Sequence, residues 1–278
     1  MTNGHDQMVP PRYHVILNWD GDHALTMAEA PMDAETFKDI LYGDLDHAAV
    51  DCVFWNGSPG STAFYPSDVL EFKGETLDQG FKYVTQWRSI TNARTMIKRG
   101  EDPNQIAIDG ARQHRIDVFF SFRMNDQHQD DADMPRLKHD HPEWLLGDKV
   151  PAWFNTSWDY THAGVREHRL AMIREIADKY DFDGIELDWQ RHAHHLPVHE
   201  AFRRKYVLTD FMRVARQIVN EAGQRRGRPL WLAARVAASK EGCMHVGYDI
   251  EQWVHEKLID YLIPSACAEM DPSIDGQW

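Results

Sequence analysis

The chain is poor in cysteine. Cys52, Cys243 and Cys267 are its only three in 278 residues, and no two form a CxxC pair. That excludes a disulfide framework and a zinc-ribbon spacing, so the thiols are expected to be buried and reduced. Basic residues are also scarce, 30 against 44 acidic ones, for a formal net charge of -14. Such a surface repels polyanions, and no Lys/Arg-rich stripe offsets it, so nucleic acid is excluded as the expected partner. No apolar run reaches the roughly 18 residues of a membrane span, so no membrane partner is expected. The opening Met1-Thr2-Asn3-Gly4-His5-Asp6 lacks the basic and apolar regions of a secretory signal. The expected location is the cytoplasm, or outside the cell if a leader has been removed. Phosphate-cradling GxGxxG and GxxxxGK[ST] loops and a GxSxG nucleophile elbow are all missing.

What is present is a soluble-protein composition, 42% hydrophobic and 27% charged, with 11% aromatics and ten tryptophans. Most of the aromatics are expected to be core. Several sit at the ends of predicted strands beside polar residues, as in Asn18-Trp19-Asp20 and Phe54-Trp55-Asn56, where they would suit a sugar-stacking cleft. Short β-rich runs alternate with helical stretches, the mark of a parallel sheet built from βα units. The runs cover residues 13–20, 50–57, 116–123, 182–189, 230–236 and 259–264. Helices are expected near 33–37, 77–98, 102–114, 161–181, 208–223 and 250–257, with long loops over 58–75 and 127–160. Asp102-Pro103 supplies an N-cap and first-turn pair, and Thr209-Asp210 is expected to open the helix that contains it. In the stretch 161–181, Leu170, Ile173, Ala177 and Tyr180 form an apolar stripe. The fold class expected is α/β, a (β/α)8 TIM-type barrel that lacks its last strands in this chain. Residues 1–11 are expected to be a flexible tail and 12–278 a single barrel domain.

The fourth run carries the chemistry. Along a strand alternate side chains share a face. Glu186 and Asp188 therefore point one way, with Gln190 continuing that face, while Ile185, Leu187 and Trp189 point the other. Paired carboxylates aimed into a barrel raise one another's pKa, and burial raises it further, which is how a general acid is tuned toward neutral pH. The bland alternative is that Arg235 or Arg123 neutralises them and they only brace the barrel. Barrel enzymes carry their chemistry at strand ends, which favours function.

The run Asp183-Gly184-Ile185-Glu186-Leu187-Asp188-Trp189-Gln190 resembles the fourth-strand DGxDxDxE signature of chitinase-like, family eighteen glycoside hydrolases. Asp183, Glu186 and Asp188 match it by type. Position 190, where those enzymes have their catalytic acid, is Gln190, which cannot donate a proton to a leaving group. Tyr180 to Asp188, together with Phe120-Ser121-Phe122-Arg123-Met124-Asn125-Asp126, is also similar to bacterial glycosyl-hydrolase-like barrels related to families ten and thirteen. That similarity runs over roughly residues 110–265. It implies a barrel acting on an oligo- or polysaccharide, without a cofactor.

Other groups fall on the same rim. Arg123, Asn125, Asp126 and His128 end the third run and are suited to binding sugar hydroxyls, or equally to a polar loop around a buried Arg–Asp pair. Asp20, Trp55 and Asn56 end the first two runs, and Gln190, Arg191 and His194 follow the fourth. Together with Arg235 these are the expected substrate contacts. Asp188, Glu186 and Glu269 are the expected catalytic acids, with Asp126 or Asp271 as other partner carboxylates. His192, His194, His195 and His199 cluster after the fourth run, and His139 and His141 lie in the earlier loop. No metal is expected, because the first strand offers Asn18-Trp19-Asp20 where metal-dependent barrels place an HxH pair. The leading expectation is a glycoside hydrolase. A catalytically silent carbohydrate-binding barrel and a metal-dependent lyase or isomerase are the alternatives. In each, Glu186, Asp188, Arg123, Asp126 and Asp20 should converge at the C-terminal ends of the strands.

Overall fold

The computed structural model describes residues 9–58, 60–76, 80–125 and 134–265. The six expected strands form, as β1 (Ile16–Trp19), β2 (Cys52–Ser58), β3 (Asp117–Arg123), β4 (Gly184–Asp188), β5 (Trp231–Ala237) and β6 (Tyr261–Ser265). They make one sheet, every pair parallel, in the order β1-β2-β3-β4-β5-β6. The helices are α1 (His23–Thr26), α2 (Ala34–Tyr42), α3 (Val84–Lys98), α4 (Pro103–His114), α5 (Arg136–Asp140), α6 (Ala163–Lys179), α7 (Ala201–Arg226), α8 (Lys240–Val246) and α9 (Ile250–His255).

The sheet is curled, and side chains prove it. Neighbouring strands lie about 4.8 Å apart, so in a flat sheet β1 and β4 would stand roughly 14 Å from one another. Yet Asn18 Nδ2 of β1 reaches Glu186 Oε2 of β4 at 3.4 Å. At the opposite end of the strands Tyr13, just ahead of β1, stacks on Tyr261 of β6 with ring centroids 5.4 Å apart. The result is a half-barrel of six parallel strands.

Each face of the sheet has its own core, which is why the strands read as nearly continuous apolar runs. Val53, Val118, Phe120, Ile185, Leu187 and Leu232 face outward and pack under the helices in the main core. Cys52, Phe54, Phe119 and Ala233 face inward with Tyr13 and Tyr261, and form a separate apolar plug near the N-terminal ends of the strands. Phe54 stacks on Phe119 at 5.0 Å inside it. The polar residues discussed below stand above this plug.

Local signals explain some helix ends. Asp102 caps α4 by accepting from Asn104 N at 2.9 Å, with Pro103 in the first turn, as the sequence implies. Two boundaries differ from expectation. Helix α3 starts at Val84 rather than near 77. Helix α7 starts at Ala201, seven residues ahead of the expected start, after a single 3-10 turn over Val198–Glu200. Thr209 is therefore not a cap. It is buried in mid-helix, where its hydroxyl accepts from Trp253 Nε1 at 3.1 Å and turns back toward Lys205 O. Among the described residues no helix is long and apolar enough to cross a membrane.

Gly184 opens β4 where the plug is tightest. A Cβ there would stand 2.3 Å from Phe119 Cε2 and 2.5 Å from Cζ, inside a stacked pair of rings with no free side to move to. Gly184→Ala is expected to cost about 1–3 kcal/mol by overpacking. In urea unfolding this would appear as a lower midpoint with an unchanged m-value, and an unchanged midpoint would refute it.

Candidate functional site

Parallel register sets the site. Arg123 of β3, Asp188 of β4 and Arg235 of β5 are direct neighbours across the sheet, and Ser121, Glu186 and Ala233 form the rung beneath them. Two-residue alternation turns these side chains to the inner face, above the apolar plug.

Glu186 is fully buried, with 0% of its surface exposed. Arg235 Nε donates to its Oε1 at 2.8 Å, and Nη2 stands 2.8 Å from the same oxygen. Its Oε2 has the longer contact from Asn18, and the Ser121 hydroxyl is a further partner. Burial pushes the carboxyl up to about 7; Arg235 pulls it down and the neighbouring Asp188 pushes it up again. Asp188 lies one rung nearer the rim and is 5% exposed. Its Oδ1 accepts from the backbone N–H groups of Gln190 at 3.1 Å and Arg191 at 3.0 Å, and stands 3.9 Å from Arg235 Nε. Asp20 leaves β1 on the same side and pairs with the Arg123 guanidinium; its side chain is half exposed and that of Arg123 is buried.

Glu186, Asp188, Asp20, Arg123 and Arg235 thus come together at the C-terminal ends of the strands. Asn56 joins them from β2, where it is buried and its carbonyl would touch a Cβ at Gly21, beside Asp20. Trp55 does not join them. It is one residue out of phase, facing the helices, with its ring against Phe37 and its Nε1 donating to Asn104 Oδ1 at 2.9 Å. It is core, and the expectation that it lines the rim is corrected on that ground. Asp126, His128, Glu269 and Asp271 lie outside the described residues.

Asn125 is near the site but engaged elsewhere. Its Nδ2 donates to His194 O at 2.9 Å, and its Oδ1 accepts from Trp158 N at 2.8 Å, so it ties two rim loops together. His194 is buried, with φ +80° and its ring edge against Phe154, and burial lowers its pKa to about 4. His195 is packed between Trp189 and Tyr160 and also held neutral by burial. Gln190 is buried and Arg191 exposed. Among the described residues no group of three or more His, Cys, Asp or Glu is arranged to hold a metal ion.

Several residues of the site were not singled out from the sequence. Asn18 and Ser121 each sit two positions before an expected contact, Asp20 and Arg123, so strand alternation alone would have found them. Arg169 of α6 is 1% exposed. It donates to Arg123 O at 2.7 Å, to Met124 O at 2.9 Å and to Gly60 O, anchoring the end of β3 and the loop after β2. Its signal is a lone charge in a stripe with Val165, Met172 and Ile176, at helical spacing and buried.

No protein-family model matches the chain, and no curated protein matches it. Among solved structures it is similar to the PgaB (BpsB) glycoside hydrolase domain from Bordetella bronchiseptica. The identity is 12%, the TM-score 0.57, and the match covers 94% of this chain and 76% of that one. It also matches alpha-L-fucosidase isoenzyme 2 from Paenibacillus thiaminolyticus at 14% identity and TM-score 0.45, covering 79% of this chain and 32% of that one. A maltogenic alpha-amylase, AmyB from Thermotoga neapolitana, matches at 16% and 0.48, covering 84% of this chain and 48% of that one. The chain thus spans about a third of the fucosidase and about half of the amylase. At these identities the likeness to PgaB is one of fold.

The buried acid has a consequence for stability. Glu186 ionises near its ordinary 4.5 when unfolded but near 7 in the fold. Its contribution is therefore fully present below about 4.5, is lost as pH rises through about 7, and is level above that. Glu186→Gln cannot ionise, so its stability relative to the natural protein should rise by on the order of 2–3 kcal/mol across this window. Urea unfolding at pH 4, 6 and 8 measures the difference, and a difference that stays constant would mean that folding leaves the ionisation of Glu186 unchanged.

Proposed function

We propose that this chain forms most of a (β/α)8-type barrel that hydrolyses a glycosidic bond in an oligo- or polysaccharide. The observation that carries the proposal is the pair on β4. Glu186 is sealed and close to neutral in its pKa, and Asp188 stands one rung above it at the rim where barrel enzymes work. A further support is that the PgaB neighbour is described as a glycoside hydrolase domain.

In this reading Asp188 is the working carboxylate. The backbone N–H groups of Gln190 and Arg191 hold its Oδ1, which fixes its rotamer and leaves Oδ2 for a substrate or a water. Gln190 stands where a chitinase-like enzyme has its acid and supplies no proton, so acid–base or charge-stabilising work falls to Asp188. Glu186 stands one rung deeper on the same strand, behind it. Glycosidases use two carboxylates at the bond, and Glu269 after β6 is the proposed second one, with Asp126 after β3 as its rival. Asp20, Arg123 and Asn56 would contact the sugar hydroxyls.

Gln190 also supports a second reading, a carbohydrate-binding barrel without turnover. A glycan array followed by product analysis separates the two, since binding without cleavage would favour the silent barrel. On a cleaved substrate, Asp188→Asn is expected to lower kcat at least about a hundredfold, the scale of one acid–base group, while the protein still folds. Glu186→Gln should lower activity less and move the pH optimum. Near-full turnover by the Asp188 variant would sink this assignment and transfer the chemistry to Glu269 or Asp126.

A further inference from the structure

We infer that Arg235 is a positioning residue that passes the protonation state of Glu186 on to Asp188, so that the buried acid regulates the rim acid. The inference rests on the reading of Asp188 as the working carboxylate and adds to it how that carboxylate is controlled.

The geometry is of one cation shared unequally. By register Arg235 sits level with Asp188, and Ala233 is level with Glu186. The guanidinium nevertheless leans down one rung, placing Nε and Nη2 each 2.8 Å from Glu186 Oε1 and leaving Nε 3.9 Å from Asp188 Oδ1. Asp188 is fastened by two backbone N–H groups, whereas Arg235 swings on a long flexible side chain. If the contact changes, Arg235 is the part that moves.

Charge dictates when it moves. From β1 the groups facing Glu186 are Asn18 and, beyond it, Asp20. From β2 there is the buried Cys52, whose thiol burial keeps protonated. From β3 there are Ser121 and Arg123, and from β5 Arg235. Arg123 is already paired with Asp20. Among the described residues Arg235 is therefore the one cation in ion-pair reach of either β4 carboxylate. While Glu186 is ionised in its dry setting, it holds that cation. Once Glu186 takes a proton from solvent, on the Oε2 that Arg235 does not touch, the attraction falls to an ordinary hydrogen bond. The nearest full negative charge is then Asp188, and closing 3.9 Å to hydrogen-bond distance needs only a small rotation of the side chain. Below the transition Asp188 is clamped by Arg235. Above it Asp188 is released. The burial of Glu186 sets that transition near neutrality.

The test reads the groups directly and needs no substrate. The full chain, labelled with 13C at Asp and Glu carboxyls and 15N at arginine, is titrated by NMR from pH 5 to 9, with Glu186→Gln and Asp188→Asn for assignment. The Arg235 Nε and Asp188 carboxyl signals are expected to inflect at the midpoint of Glu186. In Arg235→Met the Asp188 inflection should shrink severalfold, and the Glu186 midpoint should climb by about one pH unit or more because its cation is gone. Arg235→Lys, which keeps the charge, should hold the Glu186 midpoint near that of the natural protein. An Arg235 Nε signal that ignores the Glu186 midpoint overturns the inference. So does an Asp188 inflection of equal size in Arg235→Met, since the effect would then pass through space. Should the Met variant not fold, the Nε titration of the natural protein decides alone. Failure of the natural protein to cleave any glycan would count against the hydrolase reading and not against this relay.

Discussion

A carboxylate sealed from water must be matched by a cation or carry a proton, and Glu186 lies at the balance between the two. Everything around it serves that constraint. Arg235 leans down from its own rung to meet it, Asn18 reaches it across the curl of the sheet, and Ser121 stands beside it in register. Flattening the sheet would take Asn18 away from Glu186, so the curvature and the surroundings of this one side chain belong together.

The inner face is layered for the same reason. Below is an apolar plug of Phe54, Phe119 and their neighbours, which keeps water from entering from the N-terminal ends of the strands. Above it comes the rung of Glu186, then the more open rung of Arg123, Asp188 and Arg235. Polarity and exposure both increase along the strand axis. Two acids two residues apart on one strand thus acquire different environments, one sealed and one near the rim.

Much of this was legible in the sequence. The apolar runs gave the strands, and alternation along β4 put Glu186 and Asp188 on one face and Ile185, Leu187 and Trp189 on the other. Alternation also separates neighbours at a strand end. Trp55 was grouped with Asn56 because both end a strand, yet a one-residue step turns it into the helix layer, where its ring fills core and its Nε1 binds Asn104. Asn125 is suited by sequence to a sugar contact or equally to a polar loop, because sequence alone does not reveal which loop will claim a side-chain amide. The start of α7 was missed because a 3-10 turn over Val198–Glu200, rather than a capping side chain, launches it. The curl was invisible, since it is a property of how the strands twist together and not of any one of them.

The grip of Arg169 differs in kind from that of the other arginines at the site. Arg123 and Arg235 hold side chains, whereas Arg169 holds Gly60, Arg123 and Met124 by their main-chain oxygens. A main-chain oxygen is present whatever residue occupies the position. The loop after β2 and the exit of β3 can therefore change their side chains without losing this anchor, provided the backbone path is kept. Arg169 itself has no such latitude, because no other side chain offers a planar fork of donors from that helix position. The fold thus concentrates its intolerance to substitution in one buried helical residue and leaves the adjoining loops free to diversify.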